Sequence, residues 1–364
     1  MDNSDIKCLE VDRSDLKHSR VVSLPENTLK DGEVLMSVDS FALTANNITY
    51  AVFGDAMQYW KFFPASAKGW GCVPVWGFGT VEESYHDQIE PGERFYGYFP
   101  MASGWVMHPE RVSDHGFRDG VEHRDGLPEI YNRYVRISSD PAYRADFENQ
   151  QLLFRPLFTT AFLLDQKLLR ADEYGAEQVI LSSASSKTAM ALAWLLRQRG
   201  VDVIGVTSQA GRSFVKNSQN YKKTVLYDEV ESEIPDALSV SVDFAGSPEK
   251  LGRLHRKLGD KLKASILVGA TDWEASGDGD GAELPGPTPE FFFAPTMGEE
   301  LSAEWGPPIF EQRVAERMLE FYEPASRWVK TVRGIGSEAV QECYDRVLRG
   351  KALPSDGFIL SFQL

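Results

Sequence analysis

The feature that most constrains this chain lies in its middle. Gln178-Val179-Ile180-Leu181 is an apolar run of strand length, and Thr188 to Arg199 carries an apolar face of Ala189, Leu192, Ala193, Leu195 and Leu196. Gly200 closes that helix, and Val201 to Thr207 is a second strand pattern. Strand, helix and strand within about thirty residues form a βαβ unit, because parallel neighbours need a crossover of a dozen residues or more, and the crossover is right-handed. Further strand patterns at Lys223 to Tyr227, Ser239 to Phe244 and Ala264 to Val268 follow, separated by helical or polar segments such as Lys250 to Lys261. The expectation is a doubly wound parallel sheet.

The N-terminal part reads differently. Glu33 to Phe41 alternates as a strand does, Val75 to Val81 and Arg94 to Tyr98 are short strand patterns, and Glu90-Pro91-Gly92-Glu93 is a turn between the latter two. Several short strands joined by turns suggest a small barrel. Near Phe147 the character changes, and apolar residues recur at helical spacing from Leu152 to Leu169. Glu274 to Pro308, rich in Gly, Pro and acids, reads as a long loop, either an excursion over a cleft or an insertion without catalytic role. Ile309 to Tyr322 and Ser337 to Arg349 read as helices, and Gly357 to Phe362 as a closing strand that returns to the N-terminal unit. A chain of 364 residues fits two domains. Their expected bounds are 1–146, rejoined by 323–364, and 147–322.

Net charge of −16, from 38 Lys+Arg against 54 Asp+Glu, disfavours nucleic acid and anionic membranes as partners, and no basic run offsets it. The start lacks a basic end with an apolar core behind it, and no apolar stretch has membrane-spanning length, so a soluble cytoplasmic protein is expected. Cys8, Cys72 and Cys343 are odd in number and widely spaced, which argues against a disulfide framework. His18, His86, His108, His115, His123 and His255 show no tight ligand spacing, and no metal is expected.

At the first strand-to-helix turn stands Ser182-Ser183-Ala184-Ser185-Ser186-Lys187-Thr188, where a dinucleotide fold normally carries G-x-G-x-x-G. Small serines keep part of the access that glycines give. Ser183, Ser185, Ser186, Lys187 and Thr188 are therefore candidates for holding a pyrophosphate at the helix N-terminus. Two alternatives stand beside this: the serines only cap the helix, or Ser186-Lys187-Thr188 is the end of a P-loop, with Asp243 near magnesium. Both glycines of a P-loop are missing. The second strand ends in Thr207-Ser208-Gln209-Ala210-Gly211-Arg212, without the carboxylate that usually meets the ribose of NAD. Ser208 and Arg212 suit a 2′-phosphate, which favours NADPH over NADH; an ordinary solvated arginine is the alternative.

Taken in order, these parts resemble the medium-chain dehydrogenase/reductase superfamily, nearest its zinc-free quinone oxidoreductase and enoyl reductase branch, and in particular a group with a serine-rich nucleotide turn. The matching segments are Asp31-Gly32-Glu33-Val34-Leu35, Ala45 to Tyr50, Ile89 to Gly97, Leu157 to Phe162, Asp243-Phe244-Ala245-Gly246, Val268-Gly269-Ala270 and Phe358-Ile359-Leu360. Thr49 stands where the family has Asp, and the zinc-ligand pattern is missing. The resemblance implies an α/β protein with a GroES-like β-barrel domain and a Rossmann doubly wound parallel-sheet domain. It further implies NAD(P)H-dependent hydride transfer to a quinone or activated C=C acceptor without zinc, a small-molecule substrate and a homodimer. It adds Thr160, Tyr227 and Gly269 to the cofactor-binding candidates.

Without zinc, such a transfer needs a donor for the developing oxyanion. Tyr50 is the first candidate donor or acid, with Asn46 and Asn47 as orienting amides and Tyr59 and Trp60 as aromatic walls. Simple packing is the alternative for each. A non-catalytic nucleotide sensor or structural protein on the same fold is the competing class.

Overall fold

The structure is a computed structural model, and it describes residues 5–25, 28–268 and 284–363. The chain divides into two units, Met1–Leu153 with Val329–Leu364, and Phe154–Trp328. These borders lie several residues beyond the change in sequence character. The first falls inside one continuous helix, Glu148–Arg170, and the second at the end of another, Pro307–Trp328, so helical periodicity runs through both.

The middle unit is built on the parallel strands Gln178–Leu181, Val203–Thr207, Lys223–Leu226, Ser239–Asp243 and Leu262–Leu267, with the short Glu290–Phe291 at one edge. Counted along the chain, their order across the sheet is third, second, first, fourth, fifth, sixth. Val179 pairs with Val203 on one side of the first strand, and Ile180 with Ser241 on the other. Strands covered on both faces read as continuous apolar runs, and Gln178–Leu181 is buried at every position. The following helix, Lys187–Gln198, is enclosed almost all round: Ala189 to Leu196 are all buried. Each of its three leucines contributes about 2 kcal/mol through burial, which outweighs the small differences in helix propensity.

One expectation is corrected here. Residues 294–305 form a helix rather than loop, with a proline in its first turn, Leu301 fully buried, and Gly306 at φ 87 ending it. Gly298 and the acids within it hide the helical period, but a Pro start and a Gly stop are helix punctuation as well as loop composition. The earlier part of that loop, 274–283, lies outside the described residues. Gln209–Ser218, between the second and third strands, is a helix, with Gly211 packed where a Cβ would lie 2.4 Å from Thr207 Oγ1. Finally, the candidate segment Ala45–Val52 is helical, started by Thr44 and Asn47 in a reciprocal cap.

The other unit is largely antiparallel. Val34–Leu43 is its hub, paired with Pro74–Ser84, with Gly104–Met107, and with the C-terminal strand Asp356–Ser361, where Ile359 faces Ala42. Beyond Pro74–Ser84 the sheet continues through Arg94–Pro100, Arg133–Arg136, Gly116–Asp119 and Pro109–Ser113. A separate three-stranded sheet joins Ile6–Asp12 to Asp15–Leu24 and to Trp70–Gly71. The fold class is thus α/β, with a doubly wound parallel unit and an antiparallel one. Among the described residues no helix is long and apolar enough to cross a membrane.

Candidate functional site

Strand order reverses beside Gln178–Leu181, whose neighbours are the second strand on one side and the fourth on the other. The helices that follow such strands leave on opposite faces, so a crevice opens at the carboxyl ends, and ligands of open α/β sheets bind there. Two turns meet at that point. Ser182 donates its hydroxyl hydrogen to Asp243 and accepts hydrogen bonds from the amides of Phe244 (2.9 Å) and Ala245 (3.2 Å). Asp243 also accepts from the amide of Gly246 at 3.0 Å. Ser182 is a positioning residue, and the P-loop reading of Asp243 is disfavoured because both carboxylate oxygens serve the turn.

The serine turn itself is held from three sides. The amide of Ser183 donates to the Tyr227 hydroxyl at 2.8 Å, that of Ala184 to Val206 O at 3.0 Å, and that of Ser186 to Ser183 O at 2.8 Å. Ser183 adopts φ 46, a left-handed conformation natural to glycine. The backbone therefore keeps the shape of a glycine turn although the glycine is gone. Ser186 is the N-cap of Lys187–Gln198, its Oγ accepting from the amide of Ala189 at 3.3 Å. Among the described residues the amides of Ser185 and Thr188 show no protein partner, so two donors remain at the positive end of the helix. Lys187 opens that helix, and Ser185 Oγ lies 3.5 Å from Thr207 Oγ1.

At the end of the second strand Ser208 caps Gln209–Ser218 by position, without a side-chain cap bond. Arg212, from that helix, reaches Glu229 Oε1 at 3.4 Å. Glu229 is the carboxylate that the sequence reading does not find at the second strand. It comes from the segment after Lys223–Leu226, the strand paired beside the second, and its other oxygen accepts from the amide of Leu226 at 3.3 Å. Lys250 Nζ stands 4.4 Å from the centre of the Tyr227 ring. Thr160 points its hydroxyl back into its own helix, to Pro156 O at 3.1 Å. Gly269 lies outside the described residues.

The catalytic candidates belong to the other unit. Asn46 and Tyr50 share one face of Ala45–Val52, four residues apart. Tyr50 accepts from Trp76 Nε1 at 3.3 Å, and its ring packs 4.7 Å from Tyr59 and 5.6 Å from Tyr98. The Tyr59 and Tyr131 hydroxyls lie 3.2 Å apart. Burial raises the Tyr50 phenol above its usual range, against hydrogen bonds to Trp76, Asn46 and Tyr131, which lower it. Tyr98 and Tyr131 are pushed well above theirs, first by burial. All keep their protons at neutral pH, so each hydroxyl has a hydrogen to donate. Asn47 is consumed by the fold: Oδ1 accepts from the Thr44 amide at 2.8 Å, and Nδ2 donates to Pro74 O at 2.9 Å. Tyr59 and Trp60 are buried too, and Trp60 fills the space over Gly54 and Gly71, where added Cβ atoms would lie 2.1 and 2.5 Å from it. Packing accounts for both as observed. Among the described residues no three His, Cys, Asp or Glu gather where a metal ion would fit.

Comparison with solved structures shows the same fold over nearly the full length. CurA in complex with NADPH from Vibrio vulnificus is 12% identical, with a TM-score of 0.64 over 98% of this chain and 99% of that one. A mutant form of enoyl thioester reductase from Candida tropicalis is 11% identical, with a TM-score of 0.58 over 98% and 99%. A protein assigned as NADPH:quinone reductase from Bacillus thuringiensis is 12% identical, with a TM-score of 0.59 over 99% of both chains. The chain therefore shares its fold with these three proteins. No curated protein matches the chain in sequence. A family model does match, over residues 41–353, and by that match the chain belongs to the family described as Protein of unknown function (DUF2855).

Proposed function

We propose that the chain is an NADPH-dependent oxidoreductase that delivers hydride to a quinone or an activated C=C acceptor without zinc. The observation that carries this reading is the meeting of the serine turn with the Asp243–Gly246 turn where strand order reverses. NADPH fits the residues present: the amides of Ser185 and Thr188 and the start of the Lys187 helix would hold the pyrophosphate, with Arg212 and Ser208 toward the 2′-phosphate. Bound there, the cofactor would supply the hydride. Tyr50, protonated and oriented by Asn46 and Trp76, is the donor to a developing oxyanion. Likeness in fold to proteins whose structures hold NADPH, or that are named for its use, supports the same assignment. The reading includes a small-molecule substrate, a cytoplasmic setting and a homodimer.

A second reading, nucleotide binding without turnover, is favoured by Thr160 and Asn47, whose side chains are already bonded within the fold. The test begins with calorimetric titration of NADPH and NADH into the wild type, Arg212→Ala and Lys187→Ala. Charge-assisted hydrogen bonds contribute on the order of 1.5–3 kcal/mol, so Arg212→Ala weakens NADPH by roughly ten-fold or more and leaves NADH nearly unchanged. Lys187→Ala weakens both, since the pyrophosphate is common to them. Wild type that binds neither at millimolar concentration overturns the assignment. Binding with no oxidation of NADPH across a panel of quinones and enones selects the second reading.

A further inference from the structure

We propose that Cys8 and Cys72 are a covalent modification site, a dithiol that closes to an intramolecular disulfide by exchange with a low-molecular-weight disulfide such as oxidised glutathione. The two residues are 64 positions apart, yet their sulfurs lie 3.7 Å from each other. Both side chains are buried. The fold brings them together through the small sheet. Ile6–Asp12 runs antiparallel to Trp70–Gly71, with Val11 opposite Gly71 and Asp12 opposite Trp70, and Cys72 directly follows that pair.

The chemistry balances in two steps. One thiolate attacks the external disulfide, forms a mixed disulfide and releases one small thiol. The second thiolate then attacks the protein-side sulfur and releases the other, so the protein loses two hydrogens and the reagent becomes two thiols. Access needs only local opening, because two residue pairs hold Trp70–Gly71 to the first strand. Mutual hydrogen bonding and burial keep the Cys8 thiol well above its usual range, so closure is slow and limited by that opening.

The modification stands apart from the oxidoreductase reading.

The experiment uses the full chain, wild type and Cys343→Ala, incubated with oxidised glutathione, then denatured in acid and alkylated. The expected result is joint loss of Cys8 and Cys72 from the alkylated pool, an intact mass lower by two hydrogens in Cys343→Ala, and a cross-linked pair of peptides containing both residues. Cys8→Ser and Cys72→Ser lose no hydrogens and yield no cross-link. Two results overturn the proposal: both cysteines still alkylated after Cys343 has reacted to completion in the wild type, or one glutathione retained on each of the two.

Discussion

Two arginine–carboxylate pairs, one in each unit, show how exposure decides what the same chemistry does. Arg124 and Asp119 lie 3.0 Å apart with side chains 0% and 1% exposed, whereas Arg212 and Glu229 lie 3.4 Å apart at 44% and 34%. The buried guanidinium also donates to Phe62 O and the Tyr134 hydroxyl, and sits 4.6 Å over the Phe63 ring. Its charge is committed to holding the strand Gly116–Asp119 and the segment at Phe62 in place. The half-exposed pair has one contact at the long end of hydrogen-bonding range, and such pairs contribute about 0–1 kcal/mol. An anionic ligand can therefore take Arg212 from Glu229 at little cost in stability.

The largest test removes the buried arginine. Arg124→Met leaves the buried Asp119 carboxyl without its cation, which costs about 3–5 kcal/mol. Urea unfolding should show that loss, and Arg124→Met with Asp119→Leu should recover much of it. A single-variant loss below about 1 kcal/mol would place the pair in the same class as Arg212 and Glu229 and end the comparison.

The next effect is alkaline. Burial, helped by Asp119 and opposed by Arg124, pushes the Tyr134 phenol up to about 12. An unfolded phenol titrates near 10. The folded state thus holds the proton more tightly. The stabilisation is complete below about pH 10 and disappears as pH rises through about 12, with a ceiling on the order of 3 kcal/mol for this group. Tyr50, Tyr98 and Tyr131 shift in the same direction. Urea midpoints should fall between about pH 10 and about pH 12, and less steeply in Tyr134→Phe. A flat profile would contradict the burial that separates the two pairs.

Glu229→Gln sharpens the exposed side of the comparison. Folding stability should change by less than about 1 kcal/mol. NADPH affinity should rise several-fold, since Arg212 is released and a carboxylate no longer repels the 2′-phosphate, while NADH affinity stays within about two-fold. If NADH binding weakens instead, Glu229 is holding ribose hydroxyls and the NADPH preference is reversed. Calorimetry on both nucleotides decides it.

What the sequence reveals and what it hides have separate causes. The parallel sheet is legible because strands buried on both faces must be apolar throughout, as at Gln178–Leu181 and Val203–Thr207. The return of the last strand is legible as a pattern, but its partner, Val34–Leu43, is a matter of pairing that no local signal contains. At the candidate site the Ser182–Thr188 turn is visible because it sits at a fixed place between strand and helix. Glu229 is not, because its approach to Arg212 depends on two neighbouring strands being aligned. Asn47 shows the converse: its place in the segment suggests a functional amide, and the contacts that bind that amide into a helix cap emerge only in three dimensions.

The smallest predicted effect concerns the backbone beneath the exposed pair's turn. Ser183 holds φ 46 and gives its amide to Tyr227, so its strain is local and its bond is made by the main chain. A non-glycine residue in that region is strained by about 1 kcal/mol, and glycine removes the strain while adding freedom to the unfolded chain. Ser183→Gly should therefore leave stability unchanged or raise it by up to about 1 kcal/mol, with the Tyr227 bond intact. Thermal unfolding measures the first, and unchanged NADPH affinity reports the second. A clear fall in melting temperature would mean that the serine side chain, rather than the backbone shape, is what this turn requires, and the argument that serines here preserve a glycine turn would no longer hold.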